Sequence, residues 1–395
     1  MIIQGMLKSF LKAWKGFRQF FALHQDDRDI VFYAEDSASW VHFEAVLNSL
    51  ISEHRRRICY LTSSLDDPIL INSPSPVVPI FIGDGMFRTI LFRSMDAGVV
   101  VMTMPDLETY YVKRSRFPVH YIYIFHNILS THMVFRKGAY DHYDTIFCCG
   151  PHHKKEIRET ERIYSLPVKN LVEHGYGRID ALLEATQNKP SPLLKNQQKP
   201  CVLVAPSWGE NCILETCGIE LIEVLLQAGI QVIIRPHPMT RRHNPKKLDA
   251  IINRFSSLPN FSFEENIASQ KSLLASHLMI SDWSGAAFEF AFCMERPVLF
   301  IDVPRKINNP EYEKLGINPF EVQVRSEIGR ILPLEKLQEA ASWVDEMCAD
   351  LGAFAEKTKL ARGKWLYNIS NSGAKGAQAI INIQQNIKPH DSAHR

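Results

Sequence analysis

The sequence predicts an α/β protein built from two parallel-sheet domains, and three observations carry that prediction. Short continuous apolar runs alternate with helical stretches along most of the chain, as in Ile30–Tyr33, Trp40–Ile51 and Ile58–Leu61. Continuous runs, unlike alternating ones, mark strands covered on both faces. With 395 residues, 46% of them hydrophobic, the chain exceeds one ordinary core and can fill two. Between Glu184 and Pro200 the composition turns to Gln, Asn, Lys and Pro, which divides the pattern near its middle. The expected parts are a basic amphipathic helix over 1–25, a Rossmann-like domain over 26–185, a linker over 186–200, a second Rossmann-like domain over 201–333, and a helical tail over 334–395 that packs back across the domains.

A formal charge of +2 supplies no global basic field, so nucleic acid is not an expected partner. The eight cysteines are scattered, with Cys148 and Cys149 adjacent and no CxxC pair, which signals neither zinc nor a disulfide framework and fits a reducing cytoplasm. The longest apolar runs, such as Val99–Met102, are of strand length, far from the roughly 20 residues of a membrane span.

The opening segment stands apart. Ile3, Leu7, Phe10, Trp14, Phe17 and Phe21 recur at helical spacing, Lys8, Lys12, Lys15 and Arg18 fall on another side, and no acidic residue precedes Asp26. The basic residues interrupt any signal-peptide core. Such a helix suits the surface of an anionic membrane; packing on the domain or on a second subunit is the other reading, and self-association stays open.

In the first domain, Pro79–Ile82 leads through Gly83-Asp84-Gly85 into a helix, but the third glycine and the spaced acid of a dinucleotide fingerprint are absent. Tyr121–Phe125 is a strand that delivers His126 and Asn127 to the carboxyl edge of the sheet, where α/β folds hold ligands. A histidine there can take a proton at neutral pH or merely bond a loop carbonyl. Asp144–Cys149 and Leu171–His174 are further strands, the second running into Gly175-Tyr-Gly-Arg-Ile-Asp180.

The second domain restarts with Val202–Ala205, followed by Pro206-Ser207-Trp208. Gln231–Ile234 feeds Arg235-Pro236-His237-Pro238, whose prolines restrict the backbone around the histidine. Leu278–Ile280 then enters Ser281-Asp282-Trp283-Ser284-Gly285, with Ser284 suited to cap a helix that carries Ala287, Phe288, Ala291 and Phe292 at helical spacing. Small and hydroxyl residues at a helix start leave N–H groups open to a phosphate, although the same residues serve an ordinary capped helix.

Two Rossmann-like halves, a mid-chain linker, a phosphate cradle in the second half and a helical tail describe the GT-B architecture, two domains facing a cleft. On these residues the chain also resembles the CDP-glycerol:glycerophosphate glycerophosphotransferases, the teichoic-acid primases and polymerases. The family's Trp-His-Gly is similar to Phe125-His126-Asn127, its Gly-Tyr-Pro-Arg-Asn-Asp to Gly175–Asp180, its Pro-Thr-Trp to Pro206-Ser207-Trp208, its Arg/Lys-x-His-Pro to Arg235–Pro238, and its Ser-Asp-x-Ser-Ser with a following acid to Ser281–Gly285 with Glu289. Asn127 stands for a glycine, Gly177 for a proline, Gly285 for a serine and Glu289 for an aspartate, and the lysine usual after the first histidine is missing from Ile128–Thr131.

The resemblance implies transfer of an alditol phosphate, glycerol phosphate first among them, from a CDP-alditol to a hydroxyl of a lipid-linked or surface-polysaccharide acceptor, with release of CMP. It implies His126 and His237 as catalytic residues. Asn127, Arg178, Pro206, Ser207, Trp208, Arg235, Pro236, Ser281, Asp282, Ser284, Gly285 and Glu289 would line the donor site. No Asp-x-Asp signature ends a strand, so no metal or other cofactor is required beyond the CDP-alditol substrate. The expected location is the cytoplasm, peripheral on the inner face of the membrane. A nucleotide-sugar glycosyltransferase, a UDP-sugar epimerase and a non-catalytic scaffold of a polysaccharide complex are rival readings of the same fold.

Overall fold

The computed structural model describes residues 2–187, 199–266 and 269–387. These fall into two compact units, one formed by Met1–Ala181 with Leu366–Arg395, the other by Leu182–Trp365. Each is a parallel sheet covered by helices, the α/β organisation expected. The changeover lies within the helix Gly177–Gln187, and most of the expected linker, 188–198, is outside the described residues.

The first unit contains β1 (Ile30–Ala34), β2 (Ile58–Thr62), β3 (Val77–Phe81), β4 (Val99–Met102), β5 (His120–Ile124), β6 (Thr145–Cys148) and β7 (Asn170–Glu173). They lie in the order β3-β2-β1-β4-β5-β6-β7, and every pairing is parallel. The apolar runs of β1, β2 and β4 are wholly buried, as strands with helices on both faces must be. The sequence order reverses between β1 and β4, and ligands of open α/β sheets collect outside the carboxyl ends of the strands at such a point.

The second unit contains β8 (Cys201–Val204), β9 (Gln231–Ile234), β10 (Phe261–Phe263), β11 (Leu278–Ser281), β12 (Val298–Asp302) and β13 (Gly329–Pro333). Their order is β10-β9-β8-β11-β12-β13, parallel throughout, with the reversal between β8 and β11. Strand β13 escapes the apolar-run criterion because it is a five-residue edge with a glycine, an arginine and a proline in it. Its glycine is needed for pairing: a Cβ on Gly329 would stand 1.8 Å from the carbonyl oxygen of Val298.

The segment after residue 334 is divided. Helices Ala340–Ala349 and Leu351–Trp365 belong to the second unit, whereas Ser372–Ile387 packs on the helix Trp40–Ser52 of the first. The Asp180 carboxylate secures that last helix at its start, accepting from the backbone N–H of Ser370 at 2.7 Å and of Ser372 at 2.9 Å.

The opening helix, Ile2–Ala22, packs on β3 and on the helix Met86–Ser94. The most deeply buried face is not the aromatic stripe, which touches the protein only in part. It is Ala13, Gly16 and Phe20, with Gly16 so near Phe81 that an added Cβ would lie 1.9 Å from its carbonyl oxygen. Phe10 and Phe17 reach the Phe87 ring at 5.0 and 5.7 Å. Leu7, Phe10, Leu11 and Trp14 are each about half exposed, and so are accessible Lys8, Lys12, Lys15 and Arg18 beside them. One face therefore holds the helix to the protein, and another leaves apolar and basic groups in water.

Candidate active site

In the first unit the carboxyl ends of β1, β4 and β5 bring together a group of polar side chains. His126 follows β5. Its Nδ1 lies 3.1 Å from the Thr103 carbonyl oxygen, just past β4, and 3.3 Å from the Tyr123 hydroxyl. A backbone carbonyl only accepts, so Nδ1 carries the hydrogen and Nε2 keeps its lone pair. Burial holds the His126 pKa below the ordinary histidine value against the pull of the Thr103 carbonyl and Asp36, which favours a neutral ring at pH 7.

The loop carrying His126 is held from several sides. The Tyr176 hydroxyl donates to the His126 carbonyl oxygen at 3.0 Å, and Asn127 caps its own loop through Oδ1, accepting the Leu129 N–H at 3.0 Å. His152 and His153, on the helix Pro151–Tyr164, donate from Nε2 to the carbonyls of Ile128 and Leu129, each at 2.9 Å. Buried Glu156 accepts the N–H and hydroxyl of Thr131 at 2.6 and 2.8 Å. The sequence shows these residues only as polar members of a charged helix; their inward direction is decided by packing. Arg178, in the first turn of Gly177–Gln187, is close enough to His42 to disfavour its protonation.

His42 itself is a residue that motif reasoning misses. It lies near the start of Trp40–Ser52, its ring 6.3 Å from that of His126 and stacked at 5.9 Å on Tyr176. Its buried Nδ1 has no hydrogen-bond partner among the described residues, and burial, then His126 and Arg178, keep its pKa well below the ordinary value. Only a helix-start position in the sequence hints at it.

In the second unit the candidate residues surround the β8/β11 reversal. Pro206, Ser207 and Trp208 follow β8, Arg235 to His237 follow β9, and Ser281 to Gly285 complete β11 and open the helix Gly285–Met294. Ser284 is its N-cap, as the sequence indicates, with Oγ accepting the Ala286 N–H at 3.4 Å. Glu289 lies in the second turn, half-buried, and Arg235 and Pro236 are buried.

His237 has the opposite ring assignment from His126. Its Nδ1 accepts the Met239 N–H at 3.1 Å, so in the neutral ring Nε2 bears the hydrogen and donates. Burial, with Lys306 nearby, lowers its pKa to about 4. Two of the residues assigned to donor contact are engaged inside the protein. Asp282, fully buried, accepts the backbone N–H of Ser207 at 2.7 Å and of Ile213 at 3.0 Å, and the Ser281 hydroxyl donates to the Ala205 carbonyl at 2.7 Å. Both shape the loop after β8. Trp208 stacks on His243 at 5.5 Å and 12° and carries the Lys306 ammonium 3.9 Å from its ring centre. No trio of His, Cys, Asp or Glu among the described residues is placed to hold a metal ion.

The sequence profile of the CDP-glycerol:poly(glycerophosphate) glycerophosphotransferases matches residues 100–305, just over half of the chain. The chain belongs to this family. It is a CDP-glycerol glycerophosphotransferase-like enzyme. His126, Arg178, His237 and Ser284 all lie inside the matched segment, whereas His42 and Lys306 lie outside it.

Among solved structures, the wall teichoic acid polymerase TagF soaked with CDPG aligns at 14% identity and a TM-score of 0.56 over 98% of each chain. The UDP-GlcNAc 2-epimerase of Methanocaldococcus jannaschii with UDP-GlcNAc and UDP aligns at 14% and 0.57, over 90% of this chain and 99% of its own. A putative UDP-N-acetylglucosamine 2-epimerase of Listeria monocytogenes aligns at 12% and 0.59, over 92% and 98%. At these identities the likeness establishes the GT-B type of fold of this glycerophosphotransferase-family protein and nothing of its substrate. No curated protein sequence matches the chain.

Proposed function

We propose that the protein moves glycerol phosphate from CDP-glycerol to a hydroxyl of a lipid-linked or surface-polysaccharide acceptor and releases CMP. The acceptor oxygen attacks the β-phosphorus, the bond from that phosphorus to the CMP oxygen breaks, and the hydroxyl proton passes to His126 Nε2. The observation that carries the reading is the pinned tautomer: a neutral imidazole with Nδ1–H on Thr103 and a bare Nε2 is what a general base for an alcohol requires. His237, Arg235, Ser284 and the N–H groups at the start of Gly285–Met294 would take the pyrophosphate charge through donors already oriented. Glu289 and Arg178 would complete the donor contacts, with Asp282 and Ser281 acting through the loop they hold.

Epimerases share the fold, but the family match and the base-like tautomer of His126 favour phosphotransfer over them and over a silent scaffold. The direct test incubates purified protein with a panel of CDP-alditols and nucleotide sugars plus an acceptor glycolipid. CMP release with a new phosphodiester-linked alditol is the expected result; an epimerised sugar or a glycosidic product would replace this reading.

The proposed workplace is the cytoplasmic face of the membrane, where a lipid-linked acceptor would be met. No helix among the described residues is long and apolar enough to cross a membrane. The support is the opening helix, with Leu7, Leu11 and Trp14 exposed beside Lys8, Lys12, Lys15 and Arg18, a pairing that suits an anionic surface.

A further inference from the structure

Lys306 lies in the loop after β12, one residue beyond the family match. Its ammonium donates to the Trp208 carbonyl oxygen at 2.9 Å and sits 3.9 Å from the centre of that residue's ring. A long flexible side chain is thereby anchored by two contacts that leave N–H donors over. No carboxylate comes within ion-pairing distance of it among the described residues. Asp282, which attracts it electrostatically, has both oxygens engaged by the N–H groups of Ser207 and Ile213.

A half-buried cation without a counter-ion is costly, and an anionic ligand relieves the cost. Its surroundings suit such a ligand. Lys306 depresses the protonation of His237, whose Nε2–H is a neutral donor, and the His237 ring stands 6.1 Å from that of Trp208. The carboxyl edge that holds these groups also holds Ser284, the N-cap of Gly285–Met294.

We infer that Lys306 is a further cation, beside Arg235, that binds the pyrophosphate of the nucleotide donor, held in place by Trp208. The inference rests on the reading of the second unit as the CDP-alditol site and adds to it a residue that motif matching does not reach. Lys306 would supply the charge for the leaving CMP, and His237 a hydrogen bond. Burial lowers the Lys306 pKa to about 8, with Asp282 and Cys212 acting against the shift. The other charged or titratable groups around it are His237, Arg305 beside it in sequence, and His243 on the Trp208 ring.

The test is calorimetric titration of CDP and of cytidine into the full chain, wild type against Lys306→Arg and Lys306→Met. It runs from about pH 7.5 upward, where the phosphates of CDP are fully ionised. Lys306→Met is expected to weaken CDP by about 10- to 100-fold, the loss of a hydrogen bond to a charged group, while cytidine is bound as before. Wild-type affinity for CDP should fall as the pH rises past about 8, because the ammonium is lost, and Lys306→Arg should stay level over the same range. If Lys306→Met does not fold, the comparison of wild type with Lys306→Arg decides alone. CDP binding that is strong but has the same pH dependence in wild type and Lys306→Arg would overturn the role of Lys306 and leave the donor site standing. Failure of wild type to bind CDP at all would overturn the donor-site reading itself.

Discussion

His126 Nδ1 and the Thr103 carbonyl oxygen are 3.1 Å apart, and this contact decides which ring nitrogen can accept a proton. The two residues are 23 positions apart, at the ends of neighbouring strands β4 and β5. His126→Ala should lower turnover by roughly 10²- to 10⁴-fold while CDP still binds. Because burial holds the His126 pKa below the ordinary value, the base is neutral at pH 7 and is lost by protonation only as the pH falls below about 6.5. The acid limb of kcat/KM should therefore lie under that value. Near-normal turnover of a folded His126→Ala protein would move the base elsewhere.

Ser284 tests the phosphate cradle. Its hydroxyl caps Gly285–Met294 through the Ala286 N–H, and Ser284→Ala should weaken CDP by about 1 to 2 kcal/mol in calorimetry. The lost cap should also cost about 1 kcal/mol of stability. Unchanged CDP affinity would remove Ser284 from the site.

Asp282 should behave differently. Replacing it by alanine leaves two buried N–H groups, those of Ser207 and Ile213, without an acceptor, each worth roughly 1 to 3 kcal/mol. Asp282→Ala is expected to lose about 3 kcal/mol of stability in chemical denaturation, with Asp282→Asn losing less because one oxygen remains. An Asp282→Ala protein of wild-type stability with weakened CDP binding would restore the direct donor contact.

For the membrane, deleting the opening helix is a poor experiment, since Ala13, Gly16 and Phe20 pack it on the first unit. Replacing Lys8, Lys12 and Lys15 by glutamate leaves that face untouched. Each basic residue near an anionic surface contributes about 1 kcal/mol, so the triple variant should leave anionic vesicles in sedimentation while wild type stays bound at low salt. Binding of wild type should also fade at high ionic strength. Equal binding by both proteins, or by neither, would withdraw the membrane assignment.

Much of the fold is legible in the sequence because strands buried on both faces need unbroken apolar residues, and Ile30–Tyr33, Val99–Met102 and Val202–Ala205 show this directly. The helix start at Ser284 is equally legible, because capping is a local hydrogen bond. Position at a strand's carboxyl end marks His126, His237 and Arg235 as candidates, and the family resemblance proposes their roles. The tautomers could not be read in this way. They depend on Thr103 for His126 and on the Met239 backbone for His237, and a ring's hydrogen follows its partner in space. The same holds for Asp282, which a motif assigns to the ligand and the fold assigns to two backbone N–H groups 69 and 75 positions away. His42 and Lys306 carry no motif, and only the packing of Trp40–Ser52 and of the loop after β12 brings them to His126 and Trp208. In the opening helix the spacing of aromatic residues marks an amphipathic face, yet close approach to Phe81 requires glycine at position 16, with Ala13 and Phe20 buried on the same helix. Local chemistry is written along the chain; which groups meet depends on strand order, which no short stretch specifies.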